Sequence, residues 1–262
     1  MRKLLLFLFF VTFSITGFAG NILIYGPRLA GAPNEQTLAI AAGHTVTVVT
    51  AAQWTAMTTT AQFAAYDAII IPDNACGSTG GNNDFLVLNA NKAIWSPAIT
   101  GKRFYMGADG TLHRMGQYQQ VMTNGINFVT NPGATGLYVN FSCSFAPSGV
   151  VSVDFLSLVD VITISGGCFD AATIQQPTHP TMTGINNAGL SNWGCTGHGR
   201  FNSFPPSLLD IADINGTSFI LASAGCPPLA ITCPSNIAVN NTPGSCGEIG
   251  RASCRERVFK DV

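Results

Sequence analysis

The stretch at residues 102–110 constrains the fold most strongly, because a short apolar strand there runs directly into a turn rich in glycine. It reads Lys-Arg-Phe-Tyr-Met-Gly-Ala-Asp-Gly. Residues 104–106 predict a buried strand and residues 107–110 a sharp turn, with Thr111 placed to cap the following segment. In an α/β domain such an elbow lies at the carboxyl edge of the sheet, where ligands bind. Its tip is Asp109, whereas acyl-transfer enzymes present Ser or Cys there.

Alternating strand and helix signals surround this elbow. Three apolar, β-branched runs predict strands at residues 21–25, 45–50 and 68–71, and residues 217–222 predict the last strand. Asn34 is placed to cap a helix that ends near Gly43. After the elbow, helical spacing predicts core positions at Met115, Tyr118, Val121 and Met122. Strands alternating with helices imply right-handed crossovers and a parallel sheet.

This element order, with the elbow, resembles the flavodoxin-like sheet of the class I glutamine amidotransferase-like superfamily, including its trehalose-utilisation-type domains. The resemblance covers roughly residues 21–224. In catalytic members of that superfamily the elbow residue is Cys, paired with a late His followed by Pro-Glu. Here the elbow carries Asp109, and neither His179 nor His198 is followed by Pro-Glu. The resemblance therefore implies the fold, and the residues favour a domain without that family's catalysis.

A loop-rich region before the last strand holds the remaining candidate site residues. A pocket formed by Asp109, His113, Trp193 and His198 is one hypothesis, in which Asp109 orients or deprotonates His198 as a general base on water. Trp193 would then stack against a sugar ring, and Asn74, just after the third strand, is a further candidate ligand-binding residue. The alternative is structural: Trp193 covers the sheet end, His198 bonds a backbone carbonyl, and Asp109 caps a neighbouring amide.

The N-terminus and the charge distribution limit where the chain acts and what it binds. Residues 1–19 predict a secretory signal peptide, with Arg2 and Lys3 before an apolar run; the alternative is a membrane anchor. No later segment reaches spanning length, so we expect no transmembrane segment in the mature chain.

Residues 20–247 hold six basic and ten acidic side chains without clusters, which disfavours a nucleic-acid partner. A surface glycan or protein ligand is the expected partner, and no cofactor is predicted.

Seven cysteines precede the C-terminal tail, and export makes disulfides the default. The first predicted pair is Cys143 with Cys168, which flank residues 150–164; the second is Cys76 with Cys195. A metal site is the competing interpretation. Because the sequence has no Cys-x-x-Cys and no paired His spacing, no metal site is predicted.

The C-terminal part has a different character. Residues 225–228 (Gly-Cys-Pro-Pro) predict a hinge, and the pattern Ile-x-Cys-Pro-x-Asn-Ile-x-Val followed by Gly-x-Cys resembles the opening of a hyalin repeat (HYR) domain, an immunoglobulin-like β-sandwich. Residues 248–262 hold seven of the 25 Asp, Glu, Lys and Arg side chains, and they resemble the translation of a sequencing adapter. We therefore expect a truncated HYR-like module at residues 225–247 and an artefact after it.

These observations predict a signal peptide at residues 1–19, an α/β domain at residues 20–224 and the first strands of a β-sandwich. The expected protein is a secreted bacterial surface protein, in which a non-catalytic or ligand-binding α/β domain is joined to adhesive HYR-type modules. The alternative is an exported hydrolase acting on carbohydrate or peptide through Asp109 and His198.

Overall fold

The computed structural model describes residues 18–77, 80–146 and 148–224. The predicted leader up to residue 17, the hinge and HYR-like fragment, and the C-terminal tail lie outside the described residues. All described residues belong to one compact unit that ends at Ala224. Among them, no helix has both the length and the apolar character needed to cross a membrane.

The first half of the chain forms the parallel part of one mixed sheet. Its strands are β1 (Asn21–Tyr25), β2 (Thr45–Val49), β3 (Ala68–Ile71), β4 (Ile99–Met106) and β5 (Thr135–Asn140). They pair in the order β2-β1-β3-β5-β4, all parallel. The predicted strands are confirmed here, although β4 starts five residues earlier than expected. A flavodoxin-like sheet has the order 2-1-3-4-5, so the last two strands are exchanged relative to it.

Seven helices accompany these strands in the described part of the chain. They are α1 (Glu35–Ala41), α2 (Ala51–Ala56), α3 (Thr60–Ala64), α4 (Leu86–Ala90), α5 (Lys92–Trp95), α6 (Gly110–His113) and α7 (Tyr118–Val129). Asn34 caps α1 as predicted, because its side chain accepts a hydrogen bond from the Thr37 amide. The helix after the elbow is broken: Arg114 has a left-handed φ of 52° and ends α6 before α7 begins.

The second half of the chain extends the sheet with antiparallel strands. These are β6 (Val151–Ser152), β7 (Thr163–Phe169), β8 (Ala172–Ile174), β9 (Gly197–Ser203), β10 (Leu208–Ile214) and β11 (Thr217–Ser223). The sheet continues from β4 through β11, β9 and β7 to β6, while β10 joins β11 to β8. The final strand is confirmed. The region before it is more ordered than predicted, since His198 lies in strand β9 and not in a loop.

The hydrophobic core has two layers because successive strand residues face opposite sides of the sheet. Ile22 and Ile24 belong to the layer under α1 and α7, whereas Leu23 and Tyr25 belong to the layer with Trp54 and Trp95. On α7, the predicted core residues Tyr118, Val121 and Met122 are buried. The prediction for Met115 is wrong: it is 50% exposed, because it lies in the break between α6 and α7.

Candidate functional site

Side chains from four separate segments meet at the carboxyl edge of the parallel strands. Cys76 follows β3, Asp109 follows β4, Cys143 follows β5, and His198 comes from the start of β9. One sulfur, nitrogen or oxygen atom from each of these four residues lies within 4.8 Å of the others. The sequence hypothesis that the fold brings Asp109 and His198 together is thus matched by their positions. Both cysteines are additional members that it did not include.

A close backbone contact brings His198 to this edge. Gly107, the residue after β4, accepts hydrogen bonds from the amides of His198 and Gly199 at 2.8 and 2.9 Å. A Cβ atom on Gly107 would lie 2.0 Å from the Gly199 carbonyl oxygen. Glycine at 107 therefore permits the approach of β9 to the elbow, with Ala108 bridged to Gly197. The glycine that sequence analysis assigned to a turn also sets the position of the histidine.

Asp109 lies at the tip of the elbow, and its side chain is fully buried. Its Oδ1 accepts a hydrogen bond from the Leu112 amide at 3.3 Å, so Asp109 is the N-cap of α6. The prediction that Thr111 caps this segment is wrong: Thr111 lies inside the helix, and its amide donates to Asp73 Oδ2 at 3.1 Å. The Oδ2 atom of Asp109 lies 2.5 Å from Cys76 Sγ and 3.3 Å from Cys143 Sγ.

Two more buried carboxyl groups extend the acidic character of the site. Asp73 Oδ1 accepts from the Ala75 amide at 2.7 Å, and Glu35 Oε1 accepts from the Asp73 amide at 2.9 Å. Burial, followed by the nearby Asp73 charge, raises the pKa of Glu35 to about 8. The same two causes, in the same order, raise the pKa of Asp109 to about 8. These carboxyl groups are therefore held in surroundings that favour their neutral forms.

A buried arginine balances part of this charge. Arg28 forms an ion pair with Asp84 at 3.9 Å and donates to the Pro72 carbonyl and to Ser144 Oγ at 3.1 and 3.0 Å. Burial lowers the pKa of Arg28 to about 10, so it is positively charged at neutral pH. Its guanidinium also lies 4.3 Å from the ring centre of Phe85. Arg28 thus links the ends of β3 and β5 through contacts that sequence analysis did not foresee.

Two histidines are stacked beside the cysteines. The rings of His113 and His198 are nearly parallel, at 8°, and their Nε2 atoms are 3.4 Å apart. Two protonated Nε2 atoms cannot share this contact, so at least one acts as an acceptor. Burial, and next the neighbouring His113, lowers the pKa of His198. The Gly167 backbone acts in the opposite direction and raises the pKa of His198. The predicted neighbours Asp109, His113 and His198 therefore do lie together.

The structure pairs the cysteines differently from the prediction. Cys76 lies at disulfide distance from Cys143, and Cys168 from Cys195, with Cα separations of 4.8 and 4.9 Å. The predicted pairs Cys143 with Cys168 and Cys76 with Cys195 are wrong. The reason is topological: β3 and β5 are neighbours in the sheet, so the loops that follow them meet. Cys168 at the end of β7 faces the loop before β9, because these two strands are also paired.

The loops that carry Cys76 and Cys143 have unusual backbone conformations. Ala75, Cys76 and Ser142 have φ values of 46°, 55° and 45°. Non-glycine residues in this left-handed region cost about 1–2 kcal/mol each. Such conformations persist where the surrounding structure enforces them, and they concentrate at functional sites. Here they turn both sulfur atoms toward Asp109.

The other candidate ligand-binding residues have different environments. Trp193 is only 1% exposed, and its Nε1 donates to the Gly189 carbonyl at 3.0 Å. The sugar-stacking role is therefore wrong for this conformation, and the structural alternative describes Trp193 correctly. Asn74 is buried and lines a cavity of about 290 Å³ with Arg28, Gly77 and Asp84. This cavity lies next to Asp73, on the same edge of the sheet as the four-residue cluster.

In comparisons with known proteins, no family model, no curated protein and no solved structure matches the chain. The resemblances to the glutamine amidotransferase-like superfamily and to the HYR domain therefore remain predictions that rest on the sequence.

Proposed function

We propose that the chain is an exported bacterial surface protein whose α/β domain binds a ligand and does not catalyse acyl transfer. In this proposal the α/β domain is followed by adhesive HYR-type modules. The proposal combines the signal peptide and the HYR pattern of the sequence with the chemistry of the elbow.

The observation that carries the proposal is the state of Asp109. Its carboxylate is fully buried, caps α6 and contacts both cysteine sulfurs. A nucleophile must be able to reach its substrate. Both oxygen atoms of Asp109 are instead occupied by contacts within the protein, Oδ1 with the Leu112 amide and Oδ2 with the cysteine sulfurs. The adjacent 290 Å³ cavity lined by Arg28 and Asn74 offers space for a small polar ligand or a side chain of a partner.

Cell fractionation tests the surface role. The complete reading frame, expressed in its bacterial host, should be processed after residue 19 and should be labelled by antibodies on intact cells. Detection in the cytoplasm, with the leader still attached, would contradict export and with it the surface role.

A glycan array probed with the α/β domain, with Asn74→Ala as the cavity variant, tests the binding role. Retained glycan binding in that variant would exclude the cavity as the site.

A hydrolase is the second candidate, and the proximity of Asp109 and His198 favours it. Atoms of the two side chains lie within 4.8 Å, a distance that one water molecule spans with two hydrogen bonds. Burial lowers the pKa of His198 and so favours its neutral ring, which beside the Asp109 side chain has the arrangement of a general base. A panel of ester, glycoside and peptide substrates separates the two functions. Turnover that disappears in both Asp109→Asn and His198→Gln would establish the hydrolase, and turnover equal to buffer in the wild type would exclude it.

A further inference from the structure

The four-residue cluster has the composition of a transition-metal site. Two cysteines, one histidine and one aspartate supply two sulfur, one nitrogen and one oxygen donor. Thiolate and imidazole ligands are typical of Zn²⁺ sites, and carboxylate oxygen is the third ligand type that Zn²⁺ accepts. Each donor comes from a different segment, so sequence spacing gave no sign of the set. A Cys-x-x-Cys search fails here because the sheet, not the local chain, brings the ligands together.

The distances suit four-coordinate binding once the two sulfur atoms, which lie at disulfide distance from each other, have separated. Tetrahedral zinc with bonds of about 2.0–2.3 Å requires ligand atoms roughly 3.3–3.8 Å apart. Cys143 Sγ already lies 3.3 Å from Asp109 Oδ2, and all four donor atoms fall within 4.8 Å. Cys76 Sγ, at 2.5 Å from the same oxygen, must move outward. Cys76 and His198 are partly exposed, which leaves a route for an ion to enter.

The positions of the donors would also enclose an ion. Asp109 and Cys143 are buried, and Asp109 Oδ2 lies against both cysteine sulfurs. Arg28 is directed to Asp84 and to the Pro72 carbonyl. An ion between the sulfurs, the Asp109 carboxyl group and the imidazole would be surrounded by protein donors.

Contacts around the ligands resemble those that orient metal ligands in general. Metal-binding residues are usually held in place by surrounding hydrogen bonds and packing. The Gly107 carbonyl accepts hydrogen bonds from the His198 and Gly199 amides and so fixes the His198 backbone, and the His198 ring stacks on His113. The left-handed conformations of Cys76 and Ser142 hold the two cysteine loops in place.

We propose that Cys76, Cys143 and His198, with Asp109 as the fourth ligand, bind one Zn²⁺ ion when the two cysteines are in the dithiol form. A thiol or phosphine reductant supplies the two electrons that convert a Cys76–Cys143 disulfide to the dithiol. Zn²⁺ binding then releases both thiol protons and the proton of the Asp109 carboxyl group, with no further oxidation or reduction. With four protein ligands the site is closed, so the ion is structural: it connects the ends of β3, β4 and β5 with β9. The proposal does not depend on export or adhesion, since all four ligands belong to the α/β domain.

Metal titration of the purified full chain tests the proposal. The protein is reduced with a phosphine under anaerobic conditions and titrated with Co²⁺, which gives a thiolate charge-transfer absorption, and then with Zn²⁺ in competition with a chromophoric chelator. We expect one ion per chain in the wild type and loss of the Co²⁺–thiolate band in the Cys76→Ser/Cys143→Ser variant. His198→Gln should weaken Zn²⁺ binding roughly tenfold or more.

The second cysteine pair is the matched control. A Cys168→Ser/Cys195→Ser variant removes the same number of thiols, and we expect it to bind Co²⁺ and Zn²⁺ with unchanged stoichiometry. Circular dichroism verifies that each variant is folded, and Asp109→Asn provides a milder ligand change if the double cysteine variant unfolds. The proposal is overturned if the folded, reduced wild type shows no thiolate band, or if metal binding follows Cys168 and Cys195 instead. Failure of the glycan and localisation experiments would leave these results unaffected.

Discussion

The two cysteine pairs have nearly the same backbone spacing and very different surroundings. Their Cα separations are 4.8 and 4.9 Å. Cys76 and Cys143 lie among the ends of parallel strands, against Asp109 and His198. Cys168 and Cys195 belong to the antiparallel extension, where Cys168 is exposed and its Sγ lies 3.6 Å from the Gly194 carbonyl. The chemistry of a cysteine pair therefore depends on neighbouring donors and charges more than on the distance between the two backbones.

The surroundings lead to two different roles. The pair that connects β7 to the loop before β9 has the properties of a structural disulfide. A pair that contacts a buried carboxylate and approaches an imidazole has the properties of a ligand set. Exposure follows the same division, since Cys143 is buried whereas Cys168 faces solvent. The two roles differ in the size and the kind of effect that substitutions should have.

The largest expected effect is on the antiparallel pair. Replacing Cys168 and Cys195 by serine should lower the free energy of unfolding by about 3–4 kcal/mol under oxidising conditions. The reason is that the disulfide, which joins residues 27 positions apart, no longer limits the conformational entropy of the unfolded chain. Urea unfolding with and without a reductant measures this loss. Because this pair is already absent in the variant, added reductant should cost the variant about 3–4 kcal/mol less than it costs the wild type, and Zn²⁺ should not restore this difference. Equal stability of variant and wild type under oxidising conditions would contradict a structural disulfide here.

A smaller effect should follow from separating β9 from the elbow. Gly107→Ala places a Cβ against the Gly199 backbone, which cannot rotate away, so we expect a loss of about 2–3 kcal/mol in unfolding free energy. Gly149→Ala is the matched control, since no atom lies within 4 Å of the new Cβ, and it should change stability by less than about 0.5 kcal/mol. Zn²⁺ affinity of folded Gly107→Ala should also fall because His198 is displaced. Similar stability for both variants would show that the contact is not tight.

The parallel strands were predictable from the sequence, and the site was predictable only in part. The runs at β1, β2 and β3 are apolar and β-branched, and their neighbours carry the expected turn residues, so local signals sufficed. The expected proximity of Asp109 and His198 at the carboxyl edge matches their positions, although His198 lies in strand β9 and not in a loop. The cysteine pairing failed because it depends on which strands are neighbours, and β5 lies between β3 and β4. Glu35 gave no signal at all: first-turn acidic residues are usually solvated, yet this one points into the sheet edge.

That buried glutamate should make stability depend on pH. The pKa of Glu35 is about 8 in the folded chain and near its ordinary value in the unfolded chain, so the folded state binds more protons between about pH 4.5 and 8. Its contribution is therefore fully present below pH 4.5 and is lost as pH rises to 8. Glu35→Gln should flatten this fall in urea unfolding measured at several pH values, and exposed Asp154→Asn should leave it unchanged. An unaltered slope in Glu35→Gln would assign the dependence to other groups.

The smallest expected effect is at Trp193, in the loop that also carries Cys195. Its indole N–H donates to the Gly189 carbonyl, and its ring packs edge-on against Tyr118, with 1% exposure. Trp193→Phe removes this hydrogen bond and some packing volume, so we expect a loss of about 1 kcal/mol in urea unfolding. Because the ring is buried, glycan binding and Zn²⁺ affinity should both stay at wild-type values. Loss of glycan binding with unchanged stability would instead mean that this loop opens to expose the ring, and the antiparallel half would then carry the ligand site.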